Sequence, residues 1–131
     1  LLAVRYENTA KPDIAWSYTR GVSTQSSPLL VGDELYFITE SGGLLTCLNA
    51  HTGEKHWVER IGGNYSASPT YSNGRIYFHS REGITTVLQA GREFKILAKN
   101  QLEGQQMASA AVDGNALLLR TDKALYRIEM E

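Results

Sequence analysis

Short apolar and aromatic runs alternate with polar turn signals along this chain, and no stretch of ten residues keeps a helical 3.6-residue apolar period. The runs Pro28 to Val31, Leu35 to Thr39, Leu44 to Leu48 and Lys55 to Glu59 are typical. Tyr, Phe, Ile, Val, Thr and Trp dominate such runs, as strands prefer. Turn residues separate them. Gly32-Asp33, Asn73-Gly74 and Asp113-Gly114 fall at equivalent places, and such pairs supply the positive φ of a tight hairpin. Gly42-Gly43 and Glu82-Gly83 mark the next turn, and Thr52-Gly53 the one after.

The pattern repeats. Ser26-Ser27-Pro28 returns as Ala67-Ser68-Pro69 and as Ala108-Ser109-Ala110, each time 41 residues on. Leu35-Tyr36-Phe37, Ile76-Tyr77-Phe78 and Leu117-Leu118-Leu119 keep the same 41-residue step, as do Trp16 with Trp57 and Gly21 with Gly62. The third place in the Trp series is Ala98. Leu44 to Leu48, Ile84 to Leu88 and Ala124 to Ile128 step by 40, so one residue has been lost from a turn.

A period near 40 suits propeller blades and paired-helix solenoids alike. The strand-like composition decides for blades, because four short antiparallel strands per repeat make one. The expected fold is all-β, a partial β-propeller of about three four-stranded antiparallel blades within a single unit, 1–131. Residues 1–22 hold two strands of a preceding blade, Leu1 to Arg5 and Ile14 to Thr19, with a turn at Lys11-Pro12-Asp13. Blade one is 23–63, blade two 64–104, and 105–131 an incomplete blade three ending at Tyr126-Arg127-Ile128. The sequence begins and ends mid-blade, so the functional unit is expected to be larger.

Composition narrows the classes. The 131 residues are 42% hydrophobic and 21% charged, ordinary for a globular chain rather than a disordered one. A net charge of −1 gives no bulk field for nucleic acid or an anionic membrane surface. No apolar run approaches the ~20 residues of a membrane helix. A lone cysteine, Cys47, excludes an internal disulfide framework.

The segment Leu48-Asn49-Ala50-His51-Thr52-Gly53-Glu54-Lys55-His56-Trp57 resembles the repeat signature of the pyrroloquinoline-quinone-like propellers: apolar, Asp or Asn, Ala, two variable residues, Gly, then Trp four residues later. Asn49 can bond its own backbone, Gly53 suits the left-handed position, and Trp57 is placed to pack between blades. Ser26-Ser27-Pro28-Leu29-Leu30 and Ala67-Ser68-Pro69 look like that family's innermost-strand motif. Blade two departs from the pattern at Gln89-Ala90-Gly91 and Ala98, and blade three lacks the Pro and the closing Trp. The resemblance covers nearly the whole chain. It implies bacterial repeat proteins in a periplasmic or extracytoplasmic setting. The family includes quinone-dependent dehydrogenases, which use eight blades, a calcium ion and often a vicinal cysteine pair. Those features are missing from the sequence, so no cofactor is expected.

No constellation of residues points to catalysis. His51 and His56 flank one turn without a third ligand nearby, so no metal site is assigned. His79 reads as a buried or rim histidine, and Cys47 as a small buried hydrophobe. Ser26, Ser27 and Ser68 lack a base in register and read as small residues near the axis. Gly42-Gly43 lacks the helix a phosphate cradle uses. Asn64-Tyr65-Ser66 matches a glycosylation sequon, silent in a bacterium. Functional residues tend to break a repeat. Arg81, Glu82, Arg120, Asp122 and Gln105-Gln106 do so at strand mouths, and they are the candidate rim contacts. A non-enzymatic scaffold binding a protein or cell-envelope partner at its rim is favoured, closed into a ring by other copies or by the rest of a longer propeller. The alternatives are a fragment of a quinone-dependent dehydrogenase and a sensor segment linked to a signalling kinase.

Overall fold

A computed structural model describes residues 1–7 and 11–129. Asp13 of the expected Lys11-Pro12-Asp13 turn instead opens a strand, paired with Arg5, and residues 8–10 before that turn lie outside the described residues. The described residues are all-β, with 13 strands in chain order. β1 (Leu2–Arg5) and β2 (Asp13–Ser17) form a two-stranded sheet. β3 (Leu29–Val31), β4 (Glu34–Ile38), β5 (Leu44–Asn49) and β6 (Lys55–Arg60) form the sheet of blade one. β7 (Thr70–Ser72), β8 (Arg75–His79), β9 (Ile84–Gln89) and β10 (Ile96–Gln101) form that of blade two. β11 (Ala111–Asp113), β12 (Ala116–Arg120) and β13 (Leu125–Glu129) form a three-stranded sheet, blade three. Every pairing is antiparallel between neighbours in sequence, the meander of a propeller blade.

Several expected strand ends move by one or two residues, and two boundaries move for a visible local reason. Thr39 leaves β4 for the turn, where its Oγ1 accepts the Leu44 N–H at 2.9 Å and donates to the Ser41 carbonyl at 3.0 Å. Asp113 is the last residue of β11, paired with Ala116, so the hairpin turn is Gly114-Asn115 rather than Asp113-Gly114. Gly114 takes φ +59° there, the counterpart of Gly32 at +60° and Asn73 at +49°.

Two apolar layers lie between the sheets. Tyr36, Ile38, Leu45, Cys47 and Trp57 of blade one pack with Tyr65, Ile76, Phe78 and Leu88 of blade two. Tyr77 and Val87 of blade two pack with Leu117 and Leu119 of blade three. The inner strands adjoin, β3 beside β7 and β7 beside β11. Backbone N–H groups there meet the hydroxyl one repeat on. Ser27 donates to Ser68 Oγ at 2.9 Å, and Ser68 donates to Ser109 Oγ at 2.8 Å. Ser27, Ser68 and Ser109 thus form an inter-blade ladder.

The outer ends are locked by tryptophan. Trp16 of β2 donates from Nε1 to the Ala50 carbonyl at 2.9 Å, and its ring lies on Gly53, where a Cβ would come within 2.7 Å. Gly53 has φ +72°, and the Asn49 side chain closes the turn by accepting the His51 and Thr52 N–H groups at 2.9 and 3.0 Å. One repeat later Trp57 packs edge-on against Phe94 of the β9–β10 loop, with ring centroids 5.1 Å apart. The Tyr36 hydroxyl accepts the Gly91 N–H at 2.8 Å and donates to the Gly91 carbonyl at 3.1 Å.

Candidate functional site

In a meander the lead-in to the first strand and the turn between the second and third strands emerge at one end of the blade. Three turns therefore share a rim: β4–β5, β8–β9 and β12–β13. Each carries an acidic side chain that grips the loop leading into its own blade. Glu40 Oε1 accepts the N–H groups of Thr24 and Gln25, the latter at 2.5 Å, and the Ser23 hydroxyl at 3.3 Å. Glu82 accepts the Asn64 backbone N–H at 3.2 Å and side-chain Nδ2 at 2.6 Å. Asp122 Oδ1 accepts the Gln105 N–H at 2.7 Å.

These bonds hold the charges in place. Partial burial alone would raise the Glu40 carboxyl, but its own N–H and those of Thr24 and Gln25 outweigh it and hold the pKa at about 2. Burial likewise acts to raise Glu82, and the Asn64 side-chain and backbone donors overcome it, again giving about 2.

Arg81 bridges two blades. Its Nε donates to Ser66 Oγ at 2.6 Å, and an Nη donates to Gln25 Oε1 of blade one at 2.9 Å. Its carbonyl accepts the Gln106 N–H at 3.2 Å, which ties blade three to the same turn. Arg120 differs from the other three. It is exposed at the end of β12, and its side chain makes no hydrogen bond or ion pair among the described residues. Arg120 and Asp122 line one cavity of about 330 Å³ with Gln105, Met107, Ala108 and Thr121. Arg81 and Glu82 stand on the adjacent turn, outside that cavity.

The sequence-selected residues thus divide. Arg81, Glu82 and Asp122 hold the rim together, Arg120 is a cation whose side chain has no partner among the described residues, and Gln106 is no rim contact, being fully buried. Glu40, Gln25 and Met107 escape a search for broken repeat positions. The one available signal is the 41-residue step itself, since Glu40, Arg81 and Asp122 occupy a single repeat position with opposite charges. Met107 is 55% exposed beside Arg120, an adaptable apolar surface next to a charge.

The other candidates find structural partners or none. His51 Nε2 lies 3.0 Å from Asp33 Oδ1 on the surface. Asn64 of the sequon spends its amide on Glu82. Gly43 packs where a Cβ would meet the Gly62 carbonyl at 2.2 Å, so the Gly42-Gly43 turn is filled by the chain itself. The Cys47 thiol is fully buried, and desolvation pushes its pKa up to about 12, leaving it an inert apolar group. No three His, Cys, Asp or Glu side chains converge as a metal centre among the described residues. A quinone with its calcium ion needs such an acidic cluster, and the donor set present does not fit that group. Among the described residues no helix is long and apolar enough to cross a membrane.

Comparison with known proteins agrees with this architecture. The family model described as outer membrane protein assembly factor BamB matches residues 8–126. A search of curated proteins found no match. Among solved structures, BamB from Moraxella catarrhalis aligns with a TM-score of 0.63 at 18% identity, covering 76% of this chain and 29% of that one. A europium-containing methanol dehydrogenase aligns at 0.67 and 19% identity, covering 80% and 22%. The quinohemoprotein alcohol dehydrogenase of Comamonas testosteroni aligns at 0.59 and 14%, covering 76% and 17%. The chain therefore spans under a third of each of these proteins, and the likeness is one of fold. Matched over most of its length by the family model and built as a run of antiparallel blades, the chain belongs to the PQQ-like propeller family described as outer membrane protein assembly factor BamB.

Proposed function

We propose that this chain is a non-enzymatic propeller scaffold that binds a protein or cell-envelope partner at the rim of the β12–β13 turn, in an extracytoplasmic compartment. The observation that carries the reading is Arg120, a cation without a partner among the described residues, beside exposed Met107 on turns that hydrogen bonds hold rigid. Rigid rims with adaptable side chains are where propellers recognise partners. The family match to an assembly factor supports a binding role over catalysis. A compartment outside the cytoplasm rests on the same match.

Arg120→Ala is expected to lower affinity for a co-purifying protein by about tenfold, the cost of one charge-assisted contact. Arg81→Ala should lower it further, by loosening the turn through Gln25 and Ser66. Unchanged affinity in the folded Arg120→Ala protein would dispose of the rim assignment.

We also propose that further blades complete the ring, supplied by other copies or by a longer propeller. Support comes from β13, which among the described residues pairs only with β12 and carries Leu125 at 72% exposure, and from the exposed Leu2, Val4 and Ile14 of the β1–β2 sheet. Open edges and apolar faces of this kind template further pairing.

A further inference from the structure

The two joints between blades are built from equivalent positions but not from equivalent residues. At the first joint Ile38, Leu45, Tyr65 and Trp57 are buried in one apolar cluster. One repeat on, at the second joint, these positions hold His79, Thr85, Gln106 and Ala98. Four packing residues have become polar or small together. The rest of the wall keeps its character, with Tyr77 and Val87 opposite Leu117 and Leu119.

A cleft of about 640 Å³ lies between β9–β10 and β12–β13, within the range of small-molecule sites. Tyr77, Val87, Leu117 and Leu119 form its apolar walls, with Ala98 and Thr85 beside them. Ala98 sits across from Val87 as Trp57 sits across from Cys47. The first joint thus shows what this position takes, since Trp57 fills it there, with its ring against Tyr36 and Phe94 at centroid distances of 6.0 and 5.1 Å.

The polar substitutions are organised as well. Thr85 lines the cleft, and its hydroxyl is held by His79 Nδ1 at 3.0 Å. His79 is fully buried, with its Nε2 unpartnered. Gln106 is fully buried too, and neither end of its amide has a partner. Buried polar atoms without partners are costly and rare. Blade one carries others, at Thr46, His56 and Trp57, so what marks this joint is that His79 and Gln106 coincide with the lost packing residues and the cleft.

We propose that the joint between blades two and three is a binding site for a small, uncharged, planar aromatic molecule of one or two fused rings, seated over Ala98 between Val87, Leu117 and Leu119, with its hydrogen-bonding edge toward Thr85. Thr85 is the contact residue and His79 the positioning residue behind it. The site uses side chains that the rim does not, on the face of β9 and β12 between the blades, and Thr85 lies one residue into β9 from the rim turn.

Indole is the probe. Calorimetry should give saturable binding at one site on the wild-type chain, and amide shifts in a ¹⁵N spectrum should cluster on β9, β10 and β12. Ala98→Trp, which restores the repeat residue, should weaken indole binding by about tenfold or more, as expected when an aromatic contact surface is occupied. Ala98→Leu should weaken it less, and serves if the larger side chain disturbs folding. Thr85→Val should weaken indole but leave naphthalene, which has no hydrogen-bonding edge, unaffected. The proposal is overturned if indole does not saturate, if the shifts fall elsewhere, or if the folded Ala98→Trp and Ala98→Leu chains both bind it as the wild type does.

Discussion

At the scale of single residues, three side chains make distinguishable demands. Trp57 joins blade one to the β9–β10 loop of blade two, so Trp57→Ala should cost about 3–5 kcal/mol in urea unfolding. Ala98 occupies the same repeat position without any such ring, and its replacement by Gly should cost no more than about 1 kcal/mol. His79 gives a pH signature. Desolvation lowers its folded pKa from 6.5 to about 4, so the unfolded chain binds the proton first. The stability linked to His79 is therefore fully present above pH 6.5 and is lost as pH falls toward 4. Between pH 7 and 5 the loss should reach about 2 kcal/mol, and His79→Ile, the residue of the preceding repeat, should flatten that window. The carboxylates of Glu40 and Glu82 act lower, their contribution holding above pH 4.5 and fading toward 2. Urea midpoints measured at pH 7, 5 and 4 separate the two sets.

At the scale of strands and turns, much was legible and some was not. The 41-residue step finds the strands because each blade repeats one alternation of apolar runs and turn residues. Asn49, Gly53 and Trp57 were readable as a turn and its lock because their chemistry is local or periodic. Asp113 was assigned to the wrong side of its turn, since Asp-Gly and Gly-Asn both suit a hairpin and pairing to Ala116 decides. Glu40 stayed hidden because it grips a loop 15 and 16 residues earlier, an approach made only in three dimensions. The missing Trp at Ala98 was legible, but the cleft beside it and the His79–Thr85 bond needed the joint itself. Tyr36 tests the element scale directly. Tyr36→Phe removes the hydroxyl that both accepts from and donates to Gly91, and should cost about 1–3 kcal/mol, read by unfolding and by faster hydrogen exchange in 90–95.

At the scale of the molecule, two ends of the blade stack do different work. Hydrogen-bonded turns and Arg120 occupy the rim, while the opposite end carries the tight β3–β4, β7–β8 and β11–β12 hairpins. The open edge of β13 and the exposed β1–β2 sheet are the surfaces that the proposed ring completion would cover. Sedimentation tests the route through copies: association in the micromolar range supports it, and a dilute, stable monomer contradicts it. The claim that the rim binds a protein is tested most directly by site-specific photo-crosslinking in the producing cell. A crosslinking residue is placed at Met107 on the rim or at Asp33 in the β3–β4 turn on the opposite end. The expected result is a discrete protein adduct from position 107 that disappears when Arg120 is changed to Glu, with no adduct from position 33. Equal adducts from both positions, or none from 107, would contradict it.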